Sequence, residues 1–143
     1  MSDIVTLFYR DAEQVWGRGD LSAIDENYAD DLVFHSPGQR DGLLGRAAYR
    51  RAVAAWRAAF PDTQALVIGE VADEGNLAIG RWLVTGTHTG FWRDVPPSHK
   101  RVEIEELAVF RFEGDRIDEI WLLFDVETVL ARLGVLAVTA SPG

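Results

Sequence analysis

The chain has 143 residues, no cysteine and a formal net charge of −9. That length suggests one domain able to bury a core without covalent staples, and the missing cysteines exclude disulfides, cysteine-bound zinc and thiol nucleophiles. The acidic balance argues against nucleic acid or an anionic membrane surface as a partner.

At the N-terminus, Ile4, Leu7, Phe8, Ala12 and Val15 recur at helical spacing, with Ser2 or Asp3 available as a cap and "GRGD" closing the helix. Asp20 offers a cap for a short second helix over 21–28, and "LVFHSP" reads as a short strand stopped by Pro37 and Gly38. Tyr49, Ala52, Val53, Trp56 and Phe60 then follow a strong amphipathic helical pattern that ends at Pro61. Beyond Pro61 the period becomes two. Strands are expected at about 63–72, 77–89, 100–112 and 116–124, with "DEGN" and "EGD" as tight connections. "DVETVLARLG" predicts a closing helix with Gly134 at its C-terminal end.

Helices first and a strand meander afterwards imply an α+β fold. The expectation is a strongly curved antiparallel sheet whose concave face is covered by the N-terminal helices, leaving a cone-shaped space for a ligand. One domain is expected over 1–136, followed by a flexible tail over 137–143. No apolar run reaches the roughly 18 residues of a membrane span. The start, "MSDIVTLFYRD", lacks the basic and apolar blocks of a signal peptide, so a cytoplasmic location is the default.

Chemistry is sought as an acid on an apolar face, because an apolar pocket lifts a carboxyl pKa towards working pH. In "VEIEELAVFRF", Glu106 shares one strand face with Ile104, Ala108, Phe110 and Phe112, and it is the lone charge there. The bland reading puts it at a solvated strand start. His88 shares a face with Trp82, Val84 and Gly86; it could hold a substrate carbonyl or shuttle a proton, or simply pack under the following loop. Arg81 alternates with Leu83 opposite Trp82; it could hold a substrate oxygen beside a carboxylate or belong to the outer face. Asp125 precedes the last helix, where an N-cap role worth ~1 kcal/mol competes with a catalytic one. The stretch "TGTHTGFWRDVPPSHKR" is too long and too aromatic for a plain hairpin, so Phe91 and Trp92 are read as a lid at the pocket rim. Their alternative is contact with a partner subunit. Trp16, Tyr49, Trp56, Phe60 and Trp82 are the expected pocket walls. The histidines show no metal-ligand spacing, and no glycine-rich loop or nucleophile elbow is present.

The ordered pieces "WGRGD", "YADD", "H.P", "AFPD", "RW…GTHTG", "VPPS.KR", "GDRI.EIW" and "LARLG" resemble the SnoaL-like polyketide cyclase family of the nuclear-transport-factor-2-like superfamily, to about Leu136. The resemblance implies a cone-shaped α+β fold, a homodimer joined through the convex sheet face, and ring closure by an intramolecular aldol reaction without metal or cofactor. It places His35, or Phe34 if the register slips by one, at the inner end of the short strand. It also places an acid at Asp125. The acid–base aspartate of the aromatic cyclases falls at Leu122 and their histidine at Ala108, so Glu106, His88 or His35 would have to move the proton. Three readings follow: an acid–base enzyme of the cyclase type on a polyketide-like or other hydrophobic substrate, an epoxide-hydrolase- or isomerase-like enzyme, or a non-catalytic small-ligand-binding dimer.

Overall fold

A computed structural model describes residues 3–37 and 42–135. Ser2, Gly38 and the tail expected over 137–143 lie outside the described residues.

The first helix, α1 (Asp3–Arg10), continues into a π-helical segment, Asp11–Trp16. The sequence pattern predicts only an ordinary helix there, since a π-turn changes the hydrogen-bond spacing without changing which residues are apolar. A short helix α2 (Ser22–Asn27) follows. Asp20 accepts from the Ser22 backbone N–H (3.2 Å) and hydroxyl (2.6 Å) at its start. Strand β1 (Tyr28–His35) begins before the expected "LVFHSP", and β2 (Leu43–Leu44) has no signal in the sequence. Helix α3 (Arg46–Ala59) carries the apolar stripe read from the sequence. The meander is β3 (Gln64–Asp73), β4 (Leu77–Thr87), β5 (Arg101–Glu113) and β6 (Arg116–Leu123). Helix α4 (Val126–Arg132) is the last element of the described residues, with Asp125 accepting from the Glu127 and Thr128 backbone N–H groups at its start.

The six strands form one sheet in the order β2-β1-β6-β5-β4-β3. Two features of the expected fold are corrected here. The sheet is open, with β2 and β3 as its two edges, and is neither closed nor strongly curled; the cone-shaped, curved sheet is not what the chain builds. Register shifts in the β1–β6, β3–β4 and β5–β6 ladders bend strands locally. Period-two alternation reports which face a residue takes and carries no signal for curvature. The sheet is also mixed, because β1 runs parallel to β6 while every other ladder is antiparallel.

The α+β layering stands, and alternation decides it. On β5, Val102, Ile104, Glu106, Ala108, Phe110 and Phe112 are buried, and the odd-numbered residues between them are mostly exposed. The buried face meets the helices: Phe8 of α1 packs edge-on against Trp82 and tilted against Phe110. Gly80 is required beneath Phe8, since a β-carbon there would sit 2.9 Å from the ring.

Candidate functional site

Between the inner sheet face and the helices lies a cavity of about 270 Å3. This is just under the roughly 300–1,000 Å3 of drug-sized ligand sites, so it suits a small ring system. Trp16 from the π-segment, Trp56 from α3 and Trp82 from β4 form its aromatic walls. Phe34, Leu122 and Phe124 extend the apolar lining, and Phe91, Trp92 and Arg93 stand over it from the loop after β4.

Among the described residues Glu106 is the only carboxyl in this lining. It lies opposite Trp82 in the β4–β5 ladder and is 8% exposed. Burial alone raises its pKa from 4.5 to about 8, so at neutral pH the group is mostly a neutral acid.

The long loop has a definite construction. Trp92 and Val95 exchange backbone hydrogen bonds of 3.0 and 2.8 Å, which closes a two-residue turn on Arg93 and Asp94. Both turn residues have positive φ, 47° and 67°, a geometry that Asn-Gly would adopt with less strain. Holding arginine there costs on the order of 1 kcal/mol. The turn presses Trp92 inward, edge-on to Trp56 at 6.1 Å, while Phe91 stays 68% exposed at the mouth. The Arg93 guanidinium lies 5.0 Å over the Trp92 ring and donates to the Pro37 carbonyl at 2.8 Å. Desolvation lowers its pKa.

Other residues singled out from the sequence lie away from the cavity lining. His88 is fully buried beneath the loop; its Nδ1 accepts from the Ser98 backbone N–H at 3.0 Å and contacts the Ser98 hydroxyl at 2.9 Å. The neutral ring therefore carries its proton on Nε2, which makes no hydrogen bond of normal geometry among the described residues. Burial pulls the His88 pKa down, against a smaller opposing effect of the Val95 and Gly90 backbone. His35 alternates with the cavity residue Phe34, stacks on Trp121 and contacts Glu119 at 2.6 Å. Arg81 pairs with Glu105 at 3.2 Å on the exposed outer face. Asp125 is exposed, and its hydrogen bonds at the start of α4 lower its pKa. Phe60 stacks behind Trp56, and Tyr49 is buried behind Trp16.

Tyr49 leads to a group the sequence reading passed over. Its hydroxyl accepts from Trp16 Nε1 at 2.8 Å and donates to Asp11 at 2.8 Å, and the Tyr28 hydroxyl donates to the same carboxyl. Asp11 is fully buried. Desolvation raises its pKa to about 7, against the lowering effect of its phenol donors. The signal was present: Asp11 is seven residues after Ile4 and three after Phe8, on the apolar stripe of the first helix.

Residues 6–133 match the family model described as SnoaL-like polyketide cyclase. The chain belongs to the SnoaL-like polyketide cyclase family. Similar solved structures agree. IdmH of Streptomyces antibioticus, a candidate polyketide cyclase, is 30% identical with a TM-score of 0.76, covering 94% of this chain and 100% of that one. AclR of Streptomyces galilaeus, a candidate hydroxylase, is 28% identical with a TM-score of 0.76, covering 94% and 96%. A candidate SnoaL-like cyclase from Jannaschia sp. CCS1, 20% identical, shows the shared fold with a TM-score of 0.83 over 98% and 93%. No curated protein matches the chain. In this SnoaL-like chain the two positions that the resemblance marks for acid–base work, Ala108 and Leu122, are direct partners across β5 and β6 and carry no titratable group. No helix of the described residues is long and apolar enough to cross a membrane. No cluster of three or more His, Asp or Glu suited to a metal occurs among them either.

Proposed function

We propose that this SnoaL-like protein is an acid–base enzyme for a small hydrophobic carbonyl compound, of the cyclase type, with Glu106 as the proton carrier. The observation that carries the reading is a buried carboxyl in the wall of a mostly aromatic and aliphatic cavity, where desolvation pushes its pKa up to about 8. The family membership and the 30% identity to a candidate polyketide cyclase support it.

At pH 7 a minor fraction of Glu106 is ionised, and in an apolar site that carboxylate is a stronger base than a solvated one. It takes a proton from the carbon beside a carbonyl, and the electron pair left behind forms an enolate. Carbon–carbon bond formation at a second carbonyl of the same molecule gives an alkoxide, which takes the proton back from Glu106. No water is consumed. The aromatic walls hold the two reacting carbons together and keep solvent away from the enolate. A water-activating reaction of the epoxide-hydrolase kind has less support, because the Arg81–Glu105 pair lies on the outer, exposed face. A homodimer through that outer face is part of the proposal: Leu66, Leu107 and Leu123 remain exposed there.

Proton removal can be tested without the natural substrate. In deuterated buffer, 2-tetralone, a bicyclic ketone, should exchange its acidic C–H protons faster with the protein than with buffer, as read by NMR. Glu106→Gln should abolish the acceleration. Exchange at the buffer rate with the wild-type chain, or at the wild-type rate with Glu106→Gln, would remove the proposal.

A further inference from the structure

The cavity mouth carries a cation that the proton-transfer scheme does not use. Among the described residues Arg93 is the only lysine or arginine in the lining. The chain has 23 acidic residues against 14 basic ones, and several other arginines, including Arg10, Arg46, Arg50, Arg81 and Arg111, are paired with carboxylates. Arg93 is not: among the described residues its guanidinium donates only to the Pro37 carbonyl and rests on the Trp92 ring. A guanidinium offers five N–H donors, so most of its capacity is left uncommitted by the described residues.

Its placement is also built. The two-residue turn holds Arg93 at φ 47° and Asp94 at φ 67°, a conformation better suited to Asn-Gly. Strain of this kind persists where the surroundings over-determine it, and it clusters at ligand clamps. Here the Trp92–Val95 bridge below and the Pro37 carbonyl beside the guanidinium are those surroundings. Glu106, which lines the same cavity, is mostly neutral at pH 7 and so repels an anion little.

Deepening the proposed function, and resting on its cavity, we infer that Arg93 is an anion-binding residue and that the ligand is a flat apolar ring system bearing a carboxylate at the mouth. The ring body lies among Trp16, Trp56 and Trp82, and the carboxylate receives paired N–H bonds from Arg93 at the rim.

The probes are 1-naphthoate and methyl 1-naphthoate, which differ in charge on one ring body. Binding is read by tryptophan fluorescence and calorimetry at pH 7 and low salt. The wild-type protein should bind the carboxylate at least fivefold more tightly than the ester, and added salt should narrow that margin. Arg93→Met should bring the ratio to about one, with the carboxylate losing at least fivefold more affinity than the ester. Arg93→Asn, which suits the turn, should do the same in a chain that melts at a higher temperature. Equal affinities in the wild type, or a fivefold preference surviving in both variants, would overturn the inference and leave the cavity reading intact. Failure of both probes to bind the wild type would sink the cavity reading and this inference with it.

Discussion

Trp82 and Glu106 stand directly opposite one another on β4 and β5, so a large indole and a buried carboxyl share the inner sheet face. The pairing surrounds the carboxyl with apolar surface on the side where a surface strand would expose it to water. Its raised pKa follows from that environment, with desolvation as the sole cause.

Turnover should depend on this group as a base. For the natural reaction, kcat/KM should rise with pH and level off above about 8, where Glu106 is ionised. Glu106→Gln should lower kcat by about 10²–10⁴-fold with ligand affinity within about threefold. A pH profile that is flat from 6 to 9 would remove Glu106 from the chemistry.

Stability should carry the same signature with a definite sign. The folded chain keeps protons on Asp11 and Glu106 up to about pH 7 and 8, while the unfolded chain releases them near 3.8 and 4.5. Each group's contribution is therefore intact below its unfolded value and is lost as pH rises towards its folded value. The slope is up to about 1.4 kcal/mol per pH unit for each group. Relative to the wild type, Glu106→Gln should gain melting temperature steadily between pH 5 and 8. A constant difference across that range would mean that the carboxyl is solvated.

The two loop aromatics should separate function from folding. Phe91, largely exposed, should tolerate alanine within about 0.5 kcal/mol. Trp92→Ala removes a buried ring that packs against Trp56 and Phe60, and should cost about 3 kcal/mol or more. Both should weaken naphthoate binding. Equal stability losses in urea titrations would contradict the contrast.

Removing the Asp11 carboxyl should destabilise more than removing the helix cap. Asp11→Ala leaves the Tyr28 and Tyr49 hydroxyls without their buried acceptor, at about 1–3 kcal/mol for each unpaired group. Asp125→Ala loses an exposed cap worth about 1 kcal/mol. Denaturant midpoints for the two variants check the order.

Self-association should depend on the outer sheet face. Leu107→Arg places a charge beside Arg81, its cross-strand partner, and should shift a dimer to monomer in sedimentation. An unchanged sedimentation coefficient in a dimeric wild type would place the interface elsewhere.

The strand meander, α3 and the inward facing of Glu106 were legible because period and polarity are local properties of a chain. The same rule applied to the first helix would have found Asp11, a lone acid among Ile4, Phe8 and Val15. Arg93 was not legible: its importance comes from a turn conformation and from a contact with Pro37, 56 residues away in the chain. Sheet curvature was misread, because alternation reports sidedness alone. His35 and Phe34 differ by one position, and the β1–β6 register puts His35 level with Trp121 on the face away from the cavity.

By itself the sequence determined which residues are apolar on which face, and hence most of the elements, the layering and the face on which Glu106 lies. Only the tertiary structure decided how strands distant in the chain pair, whether the sheet closes, and which side chains reach one cavity. Those outcomes depend on contacts between distant segments, whose geometry no local pattern encodes.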